Sequence, residues 1–398
     1  MTFRFLTAGE SHGKCLTAII EGVPAGIQIN PEDINKQLAR RQVGYGRGGR
    51  MKIEKDRVII NSGIRHGYTT GAPITLVIEN KDWENWNIAM SAEPVDKENP
   101  EIKEIISQKA ITHVRPGHAD LSGALKYNHK DVRNILERSS ARETAIRTAV
   151  GALAQIILSE FEIELFSHIT QIGTAKVNEK NLPQEFSALK EKAENSDVRC
   201  ANEETSEAMR KTIDKAAAEG DSLGGIFEII ALNVPIGVGS FVHWDRRLDG
   251  QIAQAVMSIP AIKSVSIGIG EDSGRIFGSE MHDEIFPKKD SSNYQRKTNN
   301  AGGIEGGISN GMPIIVKASM KPIPTLKKPL RSIDLENGQE HSAHYERSDV
   351  CAVPAASVVG EAMLAITLIN AFFEKFGGDS LTEIKSNFEN YKKLCQSR

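Results

Sequence analysis

Between Leu38 and Arg50 the chain reads L-A-R-R-Q-V-G-Y-G-R-G-G-R, with arginines at 40, 41, 47 and 50 and glycines at 44, 46, 48 and 49. No hydrophobic core can absorb this stretch, so the fold must place it on a surface or a cavity wall. The glycines let the backbone approach a ligand closely. The arginines supply planar, permanently charged forks that bind phosphate or carboxylate in bidentate fashion. A polyanion is the expected ligand.

Charge elsewhere argues for a small one. Lys and Arg total 49 against 52 Asp and Glu, a net of -3 over 398 residues. A nucleic-acid protein is usually basic overall, whereas here the positive charge is local. Y-G-R-G-G-R does resemble an RGG segment, but Tyr45 is its single stacking platform. Enolpyruvyl and phosphoryl transferases are further enzymes that such an anion pocket would suit. The four cysteines, Cys15, Cys200, Cys351 and Cys395, form no C-x-x-C pair, so neither zinc nor a disulfide framework is expected, and no metal site. Glu10 and His12 interrupt any apolar run near the start, so no signal peptide is expected. The best apolar stretch, Met363–Phe373, is broken by Asn370 and reads as a buried helix rather than a membrane span.

Periodicity predicts strands at Leu16–Ile20, Ile27–Ile29, Ile53–Ile60, Ile74–Ile78, Gly225–Leu232 and Ser264–Ile269. It predicts helices from Pro31 towards Arg41, over Ala141–Phe161, over Asp245–Ser258 and over Ala355–Phe376. Residues 85–109 read as a polar surface excursion, 178–222 as a solvated helical layer and 294–324 as a long glycine- and asparagine-rich loop. Ile19–Gly26 and Ile229–Gly237 share I-I-…-V-P-x-G before a helix, which fits either a duplicated β–α unit or coincidence. Helices and strands mix without a regular β–α–β beat, so an α+β layered fold is expected, as one domain over residues 1–398.

Several short constellations carry chemical potential. Gly9-Glu10-Ser11-His12-Gly13 gives a histidine room to meet a ligand, and so does Arg115-Pro116-Gly117-His118-Ala119-Asp120. Taken singly, each histidine reads more readily as a surface-turn residue. Beside His118, Arg115 disfavours the protonated ring until an anion binds. Arg138-Ser139-Ser140-Ala141-Arg142-Glu143-Thr144 opens the long helix with two hydroxyls, two arginines and unpaired N–H groups, which suits an anion. Asn299–Gly307 followed by Lys321-Pro322-Ile323-Pro324-Thr325 joins flexible backbone to a stiff Lys and Thr. Glu346-Arg347-Ser348-Asp349 offers another anion partner, and Asp349 reads as a base or a helix cap. H-E-x-x-H and P-loop signatures are absent.

Together these motifs resemble the chorismate synthase family. The resemblance rests on F-L-T-A-G-E-S-H-G, R-R-Q-V-G-Y-G-R-G-G-R-M, S-G-I-R-H-G-Y-T-T-G-A-P-I, R-P-G-H-A-D, E-R-S-S-A-R-E-T-A, T-N-N-A-G-G-I-E-G-G, K-P-I-P-T and R-S-D-V-C-A-V-P-A-A, in order from Phe5 to beyond Gly360. It implies a β-α-β sandwich with an internal pseudo-repeat. It also implies a carbon–oxygen lyase that removes phosphate from 5-enolpyruvylshikimate 3-phosphate by 1,4-anti elimination, giving chorismate, with reduced FMN and no net redox change. By the match, Arg41, Arg47, Arg50, Arg115 and Arg142 face the substrate, while His12, His118 and Asp349 are catalytic. FMN contacts are implied for Arg138, Ser139, Ser140, Ala261, Gly306, Lys321, Pro322, Ile323, Pro324, Thr325 and Arg347. The resemblance further implies a cytoplasmic homotetramer, supplied with reduced flavin from outside and engaging neither nucleic acid nor membrane.

Overall fold

The computed structural model describes residues 2–48, 55–287, 294–346 and 348–397. Four strands, β1 (Arg4–Ala8), β2 (Cys15–Glu21), β3 (Ile59–Ser62) and β4 (Ile74–Glu79), form one antiparallel sheet in the order β1-β2-β4-β3. Five more, β5 (Glu164–Ile172), β6 (Ala175–Lys176), β7 (Gly225–Leu232), β8 (Ile262–Ile267) and β9 (Ile314–Met320), form a second in the order β6-β5-β7-β9-β8. In chain order the helices of seven or more described residues are α1 (Pro31–Gln42), α2 (Pro100–Lys109), α3 (Asp120–Tyr127), α4 (Arg133–Ser139), α5 (Thr144–Ser159), α6 (Phe186–Glu194), α7 (Glu203–Glu219), α8 (Leu248–Met257), α9 (Val353–Phe376) and α10 (Leu381–Gln396), of which α1, α5, α8 and α9 lie between the sheets. α5 packs on β2 and β4, and α9 packs on β5 and β7, so the helical layer carries the core shared by both sheets.

Local sequence explains the elements. α1 starts at Asn30, whose side chain accepts from the Glu32 N–H, with Pro31 and two acids in its first turn. α9 is buried on nearly every face. By length and composition it could cross a membrane, with mean hydropathy 1.7, but 94% of that window is buried inside the fold. It is a core helix, longer than the apolar stretch expected there.

The shared V-P-x-G signal marks a repeated unit. The segment Gly63–Ile74 and the segment Gly303–Ile314 match at G-I-x-x-G-x-(S/T)-x-G-x-P-I with one constant offset. Each forms a tight hairpin bonded to the V-P-x-G loop of its own half. Thr69 Oγ1 donates to Pro24 O at 2.6 Å and accepts from Ile27 N at 2.9 Å. Ser309 Oγ donates to Pro235 O at 2.6 Å and accepts from Val238 N at 2.9 Å. Gly63 and Gly303 have φ of 79° and 80°, and a Cβ on either would strike the carbonyl of Pro73 or Pro313. The strand orders β1-β2-β4-β3 and β5-β7-β9-β8 correspond as well. Two equivalent units therefore meet face to face through α5 and α9.

Several expectations need correction. Ile27–Ile29 is not a strand, because the Thr69 hydroxyl and the hairpin backbone take its hydrogen bonds. The loop expected over 294–324 contains β9, the strand joining β7 to β8. The excursion over 85–109 contains α2 (Pro100–Lys109), capped by Asn99, with Ile102, Ile105 and Ile106 half-buried and no residue fully buried. The long helix begins at Thr144, after a 3-10 turn at Ala141–Glu143. The expected strand Ile53–Ile60 begins outside the described residues.

At Gly151, α5 approaches α9 closely. A Cβ there would lie 2.2 Å from Ala362 Cβ and 2.8 Å from Ala362 O. At an exposed helix position Gly→Ala stabilises by about 1 kcal/mol. Gly151→Ala should instead lower stability by roughly 1–3 kcal/mol through overpacking. A raised denaturant midpoint would refute close contact at this crossing.

Candidate active site

A cavity of about 790 Å³ opens where the two units meet. Four elements reach it by equivalent routes. The last turn of α1 and the loop after it bring Arg41, Tyr45, Arg47 and Gly48, and the turn after α8 brings Ile259, Pro260 and Ala261. The starts of α5 and α9 bring Ser140, Ala141, Arg142 and Thr144, and Ala352, Ala355, Ala356 and Val359. The Ser11-His12 loop, the Arg115–Ala119 turn, the Lys321–Thr325 segment and Tyr345 to Asp349 complete the wall, apart from Arg347, which lies outside the described residues.

Of the arginines expected from sequence, Arg41, Arg47, Arg115 and Arg142 converge, and each has a carboxylate behind it. Arg142 grips Asp56 with Nη1 at 2.7 Å from both oxygens, while its Nε and Nη2 reach Asn80 Oδ1 at 3.2 and 3.1 Å. Arg41 donates to Thr144 Oγ1 and Ala141 O, both at 3.0 Å. Among the described residues its Nη1 is buried with no hydrogen-bond partner, 3.7 Å from Asp56. Burial pulls Arg41 down to about 10; Asp56 opposes this, while Arg47 and Arg142 add to it. Such a guanidinium gains from any anion that arrives. Arg47 Nη1 lies 2.9 Å from Asp349 Oδ2, and the Gly48 N–H donates to Asp349 Oδ1 at 2.6 Å. Arg50 lies outside the described residues.

Both histidines sit on carboxylates. His12 Nδ1 is 2.8 Å from Glu137 Oε1, and its backbone N–H donates to Glu137 Oε2 at 2.7 Å. Its ring stacks on Trp86 at 4.0 Å. Arg133 joins Glu137 to Glu346 at 3.1 and 3.0 Å. Burial pushes Glu137 up, but His12 and Arg133 outweigh it and hold its carboxyl low. His118 Nδ1 is 2.5 Å from Asp120 Oδ1. Arg115 donates to the same carboxylate from N, Nε and Nη2, and to Thr325 Oγ1 from Nη1. Asp120 is fully buried, and these donors overcome the cost of burial to hold its carboxyl far below the usual range. The simple repulsion expected between Arg115 and His118 is thus mediated by a carboxylate that serves both.

Among the expected cofactor contacts, Ser139, Ser140, Ala261, Lys321, Ile323, Pro324 and Thr325 line the cavity. Ala261 holds φ at +70°, uncommon for a residue with a Cβ, and its carbonyl accepts from Lys321 N at 2.9 Å. Lys321 Nζ donates to Gly117 O at 2.5 Å. Ser140, rather than Ser139, caps the turn before α5, accepting from Arg142 N. Arg138, Gly306 and Pro322 do not line it. Arg138 spends its donors on Thr7 and Gly9, bracing the loop that carries His12, and Gly306 turns a hairpin.

Asp56, Asn80, Trp86, Asp120 and Glu137 were not singled out from sequence as site residues. Asp120 and Glu137 stand inside or beside the quoted motifs, so their acidity was the available signal. Asp56 and Trp86 lie in stretches with no local pattern. No group of three His, Cys, Asp or Glu able to hold a metal occurs among the described residues.

Glu346 is held at about 2: burial raises it, and His344, Arg133 and Arg115 lower it further. Its folded value lies below its ordinary 4.5, so its stabilisation is complete above that pH and fades as pH falls towards 2. Glu137 and Asp120 act in the same direction. Denaturant midpoints should therefore fall steeply below pH 4.5, and Glu346→Gln should flatten that fall. An unchanged slope in the variant would show that Glu346 contributes nothing to it.

The family model described as chorismate synthase matches residues 3–373. A chorismate synthase of Shouchella clausii is 55% identical over 388 residues, covering 98% of each chain. That of Aquifex aeolicus is 55% identical over 396 residues, covering 98% of this chain and 97% of its own. That of Bacillus subtilis is 54% identical over 393 residues, covering 99% of each. A chorismate synthase crystal structure aligns over 100% of this chain and 99% of its own, with TM-score 0.79 and 45% identity.

Proposed function

The chain belongs to the chorismate synthase family, and we propose that His12, His118 and Asp349 are the groups through which its cavity performs the family's reaction. That reaction is the 1,4-anti elimination of phosphate from 5-enolpyruvylshikimate 3-phosphate to give chorismate, the last step of the shikimate pathway, by a flavin-dependent lyase. One observation carries the assignment: Arg41, Arg47, Arg115 and Arg142 line the same cavity as two histidines anchored on buried carboxylates.

The substrate carries two carboxylates and a phosphate, so charge matching favours this wall. We assign Arg41, Arg47, Arg115 and Arg142 to the substrate, with Arg50 continuing the same loop. The undercompensated Arg41 is the strongest attractor. His118 donates a proton to the departing phosphate, and Asp349 assists removal of the ring proton. Arg47 and the Gly48 N–H keep Asp349 in place for that task.

The remaining wall fits reduced FMN. Hydroxyls of Ser139, Ser140 and Thr325 and the Lys321 ammonium suit a phosphate-bearing tail, and Ala261, Ile323 and Pro324 offer backbone and apolar surface to a flat ring. When bound, the reduced flavin supplies electron density to the allylic centre that phosphate leaves. His12 holds a proton at the flavin side, steadied by Glu137. In this reading the chain is one domain over 1–398, works as a homotetramer in the cytoplasm and takes reduced flavin from an external source.

The test is an anaerobic assay with 5-enolpyruvylshikimate 3-phosphate and chemically reduced FMN, reading chorismate and phosphate together. Equal yields with reduced FMN and none with oxidised FMN are expected; no product despite flavin binding would sink the assignment. His118→Ala and Asp349→Ala should each slow turnover by about a hundredfold or more, as for lost acid–base groups, with FMN still bound. Arg47→Ala should chiefly raise KM; an unchanged KM would mean Arg47 meets something other than substrate.

A further inference from the structure

We propose that Asp120 is a positioning residue that fixes which nitrogen of His118 carries the exchangeable proton, and that Glu137 does the same for His12. The inference rests on the role just assigned to His118 and adds the group that makes that role workable.

His118 Nδ1 has two neighbours with opposite demands. Asp120 Oδ1, at 2.5 Å, can only accept, while Arg115 Nη2, at 3.1 Å, can only donate. The shorter contact, to an anion, decides: Nδ1 carries hydrogen and points it at Asp120. The carboxylate does not take that proton, because three Arg115 donors hold it ionised in a buried position. Nε2 is therefore the nitrogen that exchanges a proton with a ligand in the cavity. As the C–O bond to phosphate breaks, the Nε2 proton passes to a phosphate oxygen. Nδ1–H stays with Asp120, and solvent later restores the proton on Nε2.

His12 repeats the arrangement with different parts. Glu137 accepts from Nδ1 and from the backbone N–H, and Arg133 takes the place of Arg115. Two independent His–carboxylate–Arg lines on one cavity exceed what packing alone requires, since a buried ion costs desolvation unless it serves a partner. Among the described residues, the charged groups near His118 include Arg115 and Asp120 from its own segment and Lys321, bonded to Gly117 O, with Glu346 on the same cavity wall. Of these, Asp120 alone touches the ring as an anion.

The experiment combines isotope-labelled histidine nitrogen resonances with pH profiles of wild type, Asp120→Asn and Asp120→Glu. Wild type should show His118 as the Nδ1–H tautomer. Asp120→Asn should cut kcat by about a hundredfold with KM changed only a few-fold. Losing the anion should move the high-pH limb of kcat/KM to lower pH. Asp120→Glu should restore part of the rate. An Nε2–H tautomer in the neutral wild-type ring, or an unmoved limb together with unmoved His118 resonances in Asp120→Asn, overturns the proposal. If the resonances shift in Asp120→Asn while turnover stays at wild-type level, the positioning stands and His118 is not the donor. Should Asp120→Asn fail to fold, the wild-type tautomer and Asp120→Glu decide alone.

Discussion

Four arginines around one cavity repel each other, and burial makes that repulsion stronger because little water remains to screen it. The site can exist before substrate arrives only if fixed negative charge stands behind the positive charge. Asp56 answers Arg142 and Arg41, Asp349 answers Arg47, and Asp120 answers Arg115. The compensation is incomplete at Arg41, and there an incoming anion gains most. The same carboxylates fix the guanidinium planes, so the cavity presents oriented forks rather than a diffuse positive field.

The scaffold beneath is doubled, and the site is not. α1 and α8 end at the cavity from equivalent positions, as α5 and α9 begin there. The first unit contributes Arg41, Arg47, Ser140 and Arg142, and the second contributes Ile259, Pro260, Ala355 and Ala356. At these helix ends the first unit supplies positive charge and the second an apolar surface, while the second unit's own charge, Lys321, Glu346 and Asp349, comes from its loops. The hairpins around Thr69 and Ser309 make equivalent hydrogen bonds, whereas the helix ends differ where they line the cavity.

Much of the site was legible because its residues sit in short glycine-bounded motifs, and the fold brings those motifs together. Their supporting carboxylates were harder to read. Asp56 reaches Arg142 across 86 positions of chain, and nothing local marks it. β9 was hidden for another reason: Gly302, Gly303, Gly311 and Pro313 punctuate its approach so heavily that the alternation of Ile314–Met320 was absorbed into a loop. The V-P-x-G echo alone left duplication open, because the decisive partner of each copy is a hairpin tens of residues further on.

The pairing of α5 with α9 has a consequence in time. α5 is complete by residue 159, but the surface that covers Gly151 belongs to a helix that starts at residue 353. A chain emerging from the ribosome must hold an alanine-rich apolar helix without its partner until the second unit has been made. Contacts this distant in sequence close slowly and leave apolar surface open to other chains meanwhile. The first unit is therefore born dependent on the second, and the reaction cavity, lying between them, is among the last features to appear.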